Sequence, residues 1–178
     1  MLTRARVVWA VVIVGSVAVG AAMYWFQPWR LFTNRSVDEA LPSAVALPSP
    51  TASDVTSLPP QNVLLATGTI VSHEHESRGS VRLVRLAGGG VQLTLEDLAT
   101  SDGPDLHVWL TDQPVIAGRD GWFVFDDGRY VELGPLKANN GNQVYDVPEG
   151  TDLQSLISVT IWCKRFAVSF AAAPLDAP

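Results

Sequence analysis

Residues Val7 to Phe26 read VVWAVVIVGSVAVGAAMYWF, twenty consecutive positions without a charge. A segment that is apolar on every side has no place in a small soluble core. As a helix rising roughly 1.5 Å per residue it spans a hydrocarbon layer of about 30 Å. Arg4 and Arg6 precede it, and Tyr24, Trp25 and Trp29 stand where interfacial aromatic side chains collect. A cleaved signal peptide is the competing assignment. Its apolar part would run for about 7–15 residues to a small-residue cleavage site. This run is longer and ends in Met23, Tyr24, Trp25 and Phe26, which favours an uncleaved signal anchor at residues 7–26 behind a short cytoplasmic tail at residues 1–6.

Residues 27–62 read as a juxtamembrane segment and a stalk. Leu41 to Asn62 is rich in Pro, Ser, Ala and Thr, a composition that buries little and stays extended. Arg30 and Arg35 nearly balance Arg4 and Arg6 across the helix, so charge bias orients the chain only weakly. The stalk favours export of the domain C-terminal to it. The expected location is the cell membrane, single-pass, with the C-terminal domain extracytoplasmic.

From Val63 onward, eight Lys and Arg face fifteen Asp and Glu, a net of about −7. An acidic domain does not track a phosphate backbone, so nucleic acid is excluded as a partner. Residues 63–175 suffice for one modest core. Short apolar runs alternate with turn signals and no long 3.6-residue period appears, which predicts an all-β fold, a β-sandwich. The expected strands are Leu64–Ser72 with a possible bulge at Gly68, Ser80–Leu86, Val91–Leu95, Leu106–Leu110, Gly121–Phe125, Arg129–Leu133, Val144–Val147, Leu156–Cys163 and Phe166–Ala172. Asp126-Asp127-Gly128 predicts a hairpin. Val159, Ile161 and Cys163 share one parity while Phe166, Val168 and Phe170 share the other, which predicts a β-bulge near Lys164-Arg165.

Cys163 is the one cysteine of the chain. It cannot form an internal disulfide, and four roles are open to it: inert core filler, ligand to a metal or haem, redox-active thiol, or half of a disulfide with another molecule. His73 and His75 share a face if their segment is a strand, as ligands do, but SHEHESRG (Ser72 to Gly79) reads better as a polar strand end or loop. His107 lies out of phase with Leu106 and Val108, either exposed or lining a site. Cys163 with His75 or His107 would make an axial pair for haem or part of a copper site. No C-x-x-C-H motif is present, so any haem would be non-covalent. Trp162 and Tyr145 either line a cofactor pocket or belong to the core. No nucleophile elbow, phosphate loop, zincin helix or kinase signature occurs, which removes the reasons in the residues to assert a stand-alone enzyme.

A set of motifs orders these options. They are Gly68-Thr69 with His75 and Gly79; Leu95-Glu96-Asp97-Leu98; Gly103-Pro104-Asp105-Leu106-His107-Val108-Trp109-Leu110; Leu133-Gly134-Pro135-Leu136-Lys137; Gly141-Asn142-Gln143-Val144-Tyr145; Val147-Pro148; and Val159 to Cys163 with Phe166. In this order the segment resembles the DM13 domain family, and with its spanning helix it looks like membrane-anchored actinobacterial members. Arg78-Gly79 stands where the family favours Ser-Gly. The resemblance implies a β-sandwich related to DOMON domains, electron transfer at the cell surface with a redox partner protein, and Cys163 as the family's characteristic cysteine, either a bare thiol or a ligand to a prosthetic group. A non-catalytic surface binding or adhesion module with an inert cysteine is the alternative.

Overall fold

The computed structural model describes residues 4–46 and 61–178. Helix α1 (Arg4–Phe26) buries none of its side chains against the protein and is long and apolar enough to cross a membrane. The rest is built from ten strands: β1 (Ser36–Asp38), β2 (Val63–Thr69), β3 (Val71–Ser72), β4 (Arg78–Arg85), β5 (Val91–Ala99), β6 (Leu106–Thr111), β7 (Tyr130–Pro135), β8 (Asn140–Val147), β9 (Ser158–Cys163) and β10 (Val168–Pro174). They form two five-stranded sheets, β1-β8-β5-β4-β2 and β3-β10-β9-β6-β7. The inner faces meet in one core, with Val81, Leu83, Leu93 and Leu95 from the first sheet against Val108, Leu110, Val159 and Ile161 from the second. The all-β sandwich is therefore the fold. The alternation Val91-x-Leu93-x-Leu95 predicts which side chains point inward, because residues two apart share a face.

The second sheet is covered on its outer face as well, so every residue of β9 is buried. Trp109, Trp162 and Ala172 pack there beneath Phe125, with Val115 and Val124 around them. The cover is the long loop between β6 and β7, closed at its neck by Asp112, whose backbone N–H donates to the Arg129 carbonyl (3.1 Å) and whose carboxylate accepts from the Arg129 N–H (3.0 Å). This corrects two expectations. Gly121–Phe125 is not a strand, and Asp126-Asp127-Gly128 does not join a hairpin. The Trp122 carbonyl instead caps the Ser169 N–H (2.8 Å), and burial of Phe125 on Trp162 outweighs the local turn signal.

The junction of β9 and β10 is a hairpin and not a bulge at Lys164-Arg165. Cys163 pairs with Val168 across the four residues Lys164 to Ala167, and Ala167 takes a positive φ of 48°. The register slips further on, between Ser169 and Ala171, so Phe170 and Ala171 both reach the core. Gly68 is not bulged either: the slip in β2 lies between Leu64 and Ala66. A Cβ on Gly68 would sit 1.9 Å from the Pro174 carbonyl oxygen, so glycine is needed there for close backbone approach.

Residues 28–45 do not hang free of the domain. After α1 the chain makes one 3₁₀ turn (Pro28–Phe32) and enters the sandwich as β1, parallel to β8. Asp102, 4 % exposed, gathers this segment: Arg30 and Arg35 pair with it at 3.4 and 3.3 Å, and the Thr33 hydroxyl donates to it at 2.8 Å. Such an acid needs counter-charge once removed from water, and the segment supplies it. Glu39 pairs with Lys137 at 2.7 Å, and Val45 bridges Val63. The Pro-, Ser- and Ala-rich stretch thus meets the domain at Val45 and again at Asn62, whose side chain donates to the Ser43 carbonyl (2.9 Å). Its central part, residues 47–60, lies outside the described residues.

Candidate functional site

Cys163 closes β9 and is 0 % exposed, within the core that also holds its two cross-strand partners Leu106 and Val168. Burial pushes its thiol pKa up. The backbone N–H groups of Phe166 and Arg165 oppose that in part, and the charge of Asp105 adds to it. The thiol is therefore protonated at neutral pH, the opposite of an activated cysteine. Among the described residues no histidine hydrogen-bonds to it. Native full-length protein treated with iodoacetamide at pH 7 is expected to stay unlabelled over hours and to label fully in urea. Rapid native labelling would show the enclosure to be wrong.

The histidines fall in three different environments. His107 is in register with Trp162 and Leu106 with Cys163, so His107 and Cys163 sit on opposite faces of the sheet. Its Nδ1 is 2.6 Å from Glu132 and its Nε2 3.1 Å from Asp105, while Lys164 neutralises Glu132 at 3.1 Å. Both ring nitrogens thus face carboxylates, although only Nε2 makes a hydrogen bond, to Asp105. His73, expected in a solvated loop, is buried against the outer face: Nδ1 lies 2.8 Å from the Ser169 hydroxyl and the ring stacks on Phe125 at 5.7 Å. Loss of hydration lowers its pKa below the usual 6.5, with the Ile116 backbone opposing. As pH falls through about 6.5 the unfolded chain takes up this proton before the folded one does, so stability is full above that pH and declines below it. Urea midpoints measured from pH 7.5 to about 5 should show this decline, and His73→Gln should flatten it.

Trp162 and Tyr145 occupy structural positions. Trp162 stacks on Trp109 at 5.3 Å, and Trp109 lies almost parallel to Tyr130 at 3.9 Å. The Tyr145 hydroxyl donates to Gln143 (2.8 Å) and accepts the Lys137 N–H (3.1 Å), bracing the turn between β7 and β8. Burial drives its pKa up to about 12.

His75, among the expected site residues, faces an open groove. Its ring lies 4.0 Å from that of Phe170, its Nε2 contacts the Glu74 carboxylate, and it lines a groove of about 560 Å³. Val168 and Phe170 of β10, Trp122 and Phe123 of the cover loop, and Phe26 and Pro28 at the end of α1 line it. Arg119 also lines it, with its guanidinium 5.7 Å from the Trp122 ring. The groove reaches Cys163 only indirectly, through Val168, its cross-strand partner. Four chain segments meet here, from α1, the loop after β3, the cover loop and β10. No local spacing announces such a site, which is why Phe26, Arg119, Trp122 and Phe170 escape a reading of the sequence.

The residues do not build a chelate. Among the described residues no three His, Cys, Asp or Glu side chains stand close enough to hold a metal ion. A copper site of Cys163 with the histidines does not fit. Neither does a haem clamped between Cys163 and a histidine, because the sulfur is outside the groove; the groove offers His75 as its sole imidazole.

Comparison with known proteins agrees with this sandwich. The family model described as "Electron transfer DM13" matches residues 69–175, from the end of β2 to just past β10. The curated proteins and the solved structures compared with the chain gave no match. Since the matched residues make up more than half of its length and carry the whole of the second sheet with β4, β5 and β8 of the first, the chain belongs to the DM13 family of electron-transfer domains.

Proposed function

We propose that this protein is a membrane-anchored electron-transfer module, extracytoplasmic and served by a redox partner protein, whose redox centre lies at the end of the sandwich where the Cys163–Val168 pair meets the His75 groove. The observation that supports it is the sharing of β10: Val168 is both the cross-strand partner of Cys163 and part of the groove lining, and the Phe170 ring lies 4.0 Å from that of His75. A bare thiol is the weaker form of this centre, since a protonated and enclosed sulfur neither attacks nor is attacked readily. The stronger form is a redox group seated in the groove, with Cys163 setting its surroundings through β10. Spectroelectrochemical titration of full-length protein purified from membranes tests it. A reversible band that shifts in both Cys163→Ser and His75→Ala is expected. A featureless spectrum that responds to neither potential nor mutation would overturn it.

The enclosure of Cys163 favours a second reading, a tethered binding module with an inert cysteine. On that reading Cys163→Ser alters stability alone and leaves partner binding intact.

A further inference from the structure

We propose that the groove between the end of α1 and the sandwich binds the ring of a membrane-borne quinone. This rests on the electron-transfer role proposed for the protein and on α1 crossing the membrane.

Position comes first. Phe26 is the last residue of α1, and with Pro28 it lines the groove. The end of the helix is held to the domain rather than left on a tether. Arg165 donates to the Trp25 carbonyl at 2.9 Å, the Phe26 and Phe166 rings stack at 5.8 Å, and Arg30 reaches Asp102 three residues further on from Gln27. A spanning helix that ends here puts the groove at the level of the lipid headgroups, where aromatic side chains favour the boundary between hydrocarbon and water. Phe123 and Phe166, both lining the groove, are also exposed. In water these would be a cost without return; at a bilayer surface they are at home.

The shape and chemistry of the lining then select among ligands that a membrane can deliver. A volume of about 560 Å³ is that of a small-molecule site and too small for a folded partner. Phe26, Trp122, Phe123, Phe166 and Phe170 present ring faces and edges, which suit a flat conjugated ring. Three polar groups, Arg119, His75 and Glu74, interrupt them, and two of these can donate. Arg119 makes no ion pair among the described residues and offers N–H donors; His75, held by Glu74, is the second. A quinone carries two carbonyl acceptors and a flat ring, and its chain can run out past Phe26 into the lipid. An anionic phospholipid headgroup fits less well, because the Glu74 carboxylate lines the groove beside His75 and the domain carries a net negative charge.

The test uses full-length protein in nanodiscs of phosphatidylcholine and a photoreactive short-tailed naphthoquinone, with crosslinks mapped by mass spectrometry. Saturable labelling of the segment Arg119–Phe125, displaced by unlabelled naphthoquinone, is expected. Arg119→Leu and His75→Ala should each weaken it by about tenfold, the worth of one hydrogen bond to a charged or strongly polar donor. Arg119 is exposed, so its variant keeps the fold even where His75→Ala does not. Labelling that never saturates, that spreads along α1 alone, or that ignores both variants overturns the proposal. Displacement by anionic phospholipid but not by naphthoquinone reassigns the groove to a lipid headgroup and also overturns it. A reversible redox band in protein that fails to bind the quinone would sink this inference alone. Saturable quinone binding in protein that exchanges no electrons would sink the electron-transfer reading instead.

Discussion

Trp162→Ala will cost the domain about 3–5 kcal/mol, the range for truncating a buried large aromatic side chain. That is a large part of the 5–15 kcal/mol that typically separates folded from unfolded domains. Trp162 is 1 % exposed and touches both Trp109 and Phe125, so its removal empties the space between the second sheet and its cover loop. The loop loses its main apolar anchor, and the Ser169–Trp122 backbone hydrogen bond goes with it. Urea unfolding of the full-length protein in detergent, followed by near-UV circular dichroism, measures the loss. Trp162→Phe keeps part of the packing and should lose less than half as much. A loss below about 1 kcal/mol for the alanine variant would mean that the outer face is not packed as a second core.

The second large effect is expected at Gly141. Its φ is +99°, and a Cβ there would stand 2.0 Å from the Val37 carbonyl oxygen. Gly141→Ala therefore meets both a backbone conformation costing about 1–3 kcal/mol for a side-chain-bearing residue and a direct clash with β1. The easiest relief is for β1 to leave the sheet edge. The Asp102 clasp then loses its alignment and the end of α1 is freed from the domain. Trypsin cleavage after Arg30 and Arg35 reports this, because cleavage tracks the population of the open state. The rate should rise about ten- to a hundredfold, as 1.4 kcal/mol corresponds to a factor of ten. An unchanged rate would show that β1 is not held by this pairing. The groove proposed for a quinone depends on the same attachment, so Gly141→Ala should weaken quinone labelling as well.

Periodicity makes part of this fold legible in the sequence and leaves the rest hidden. The inward sets Leu93–Leu95, Val108–Leu110 and Val159–Ile161 follow from alternation alone, since a strand places residues two apart on one face. The identity of the family is equally open to reading. The cover loop is not. Gly121–Phe125 has the composition of a strand and is followed by a good turn sequence, but Phe125 finds more apolar contact over Trp162 than a hairpin would have offered. The β9–β10 hairpin is hidden for a different reason: its positive φ falls on Ala167, a residue type that gives no sign of it. Around the site, His107 resembles a ligand in sequence because periodicity cannot distinguish one face of a doubly covered sheet from the other. His73 resembles a solvated residue because its partner Ser169 lies 96 residues away.

What the chain determines by itself is therefore local and periodic: a helix apolar enough for lipid, strands whose parity selects a core face, and a lone cysteine of core parity. What tertiary structure alone decides is who meets whom across long separations. It sets Cys163 in hydrocarbon with its proton retained, turns His107 to the opposite face, and brings Phe26, His75, Arg119 and Phe170 together at one groove. The physical reason is that a residue's face follows from its neighbours in sequence, whereas its surroundings depend on burial and pairing free energies summed over segments that only the folded chain brings together.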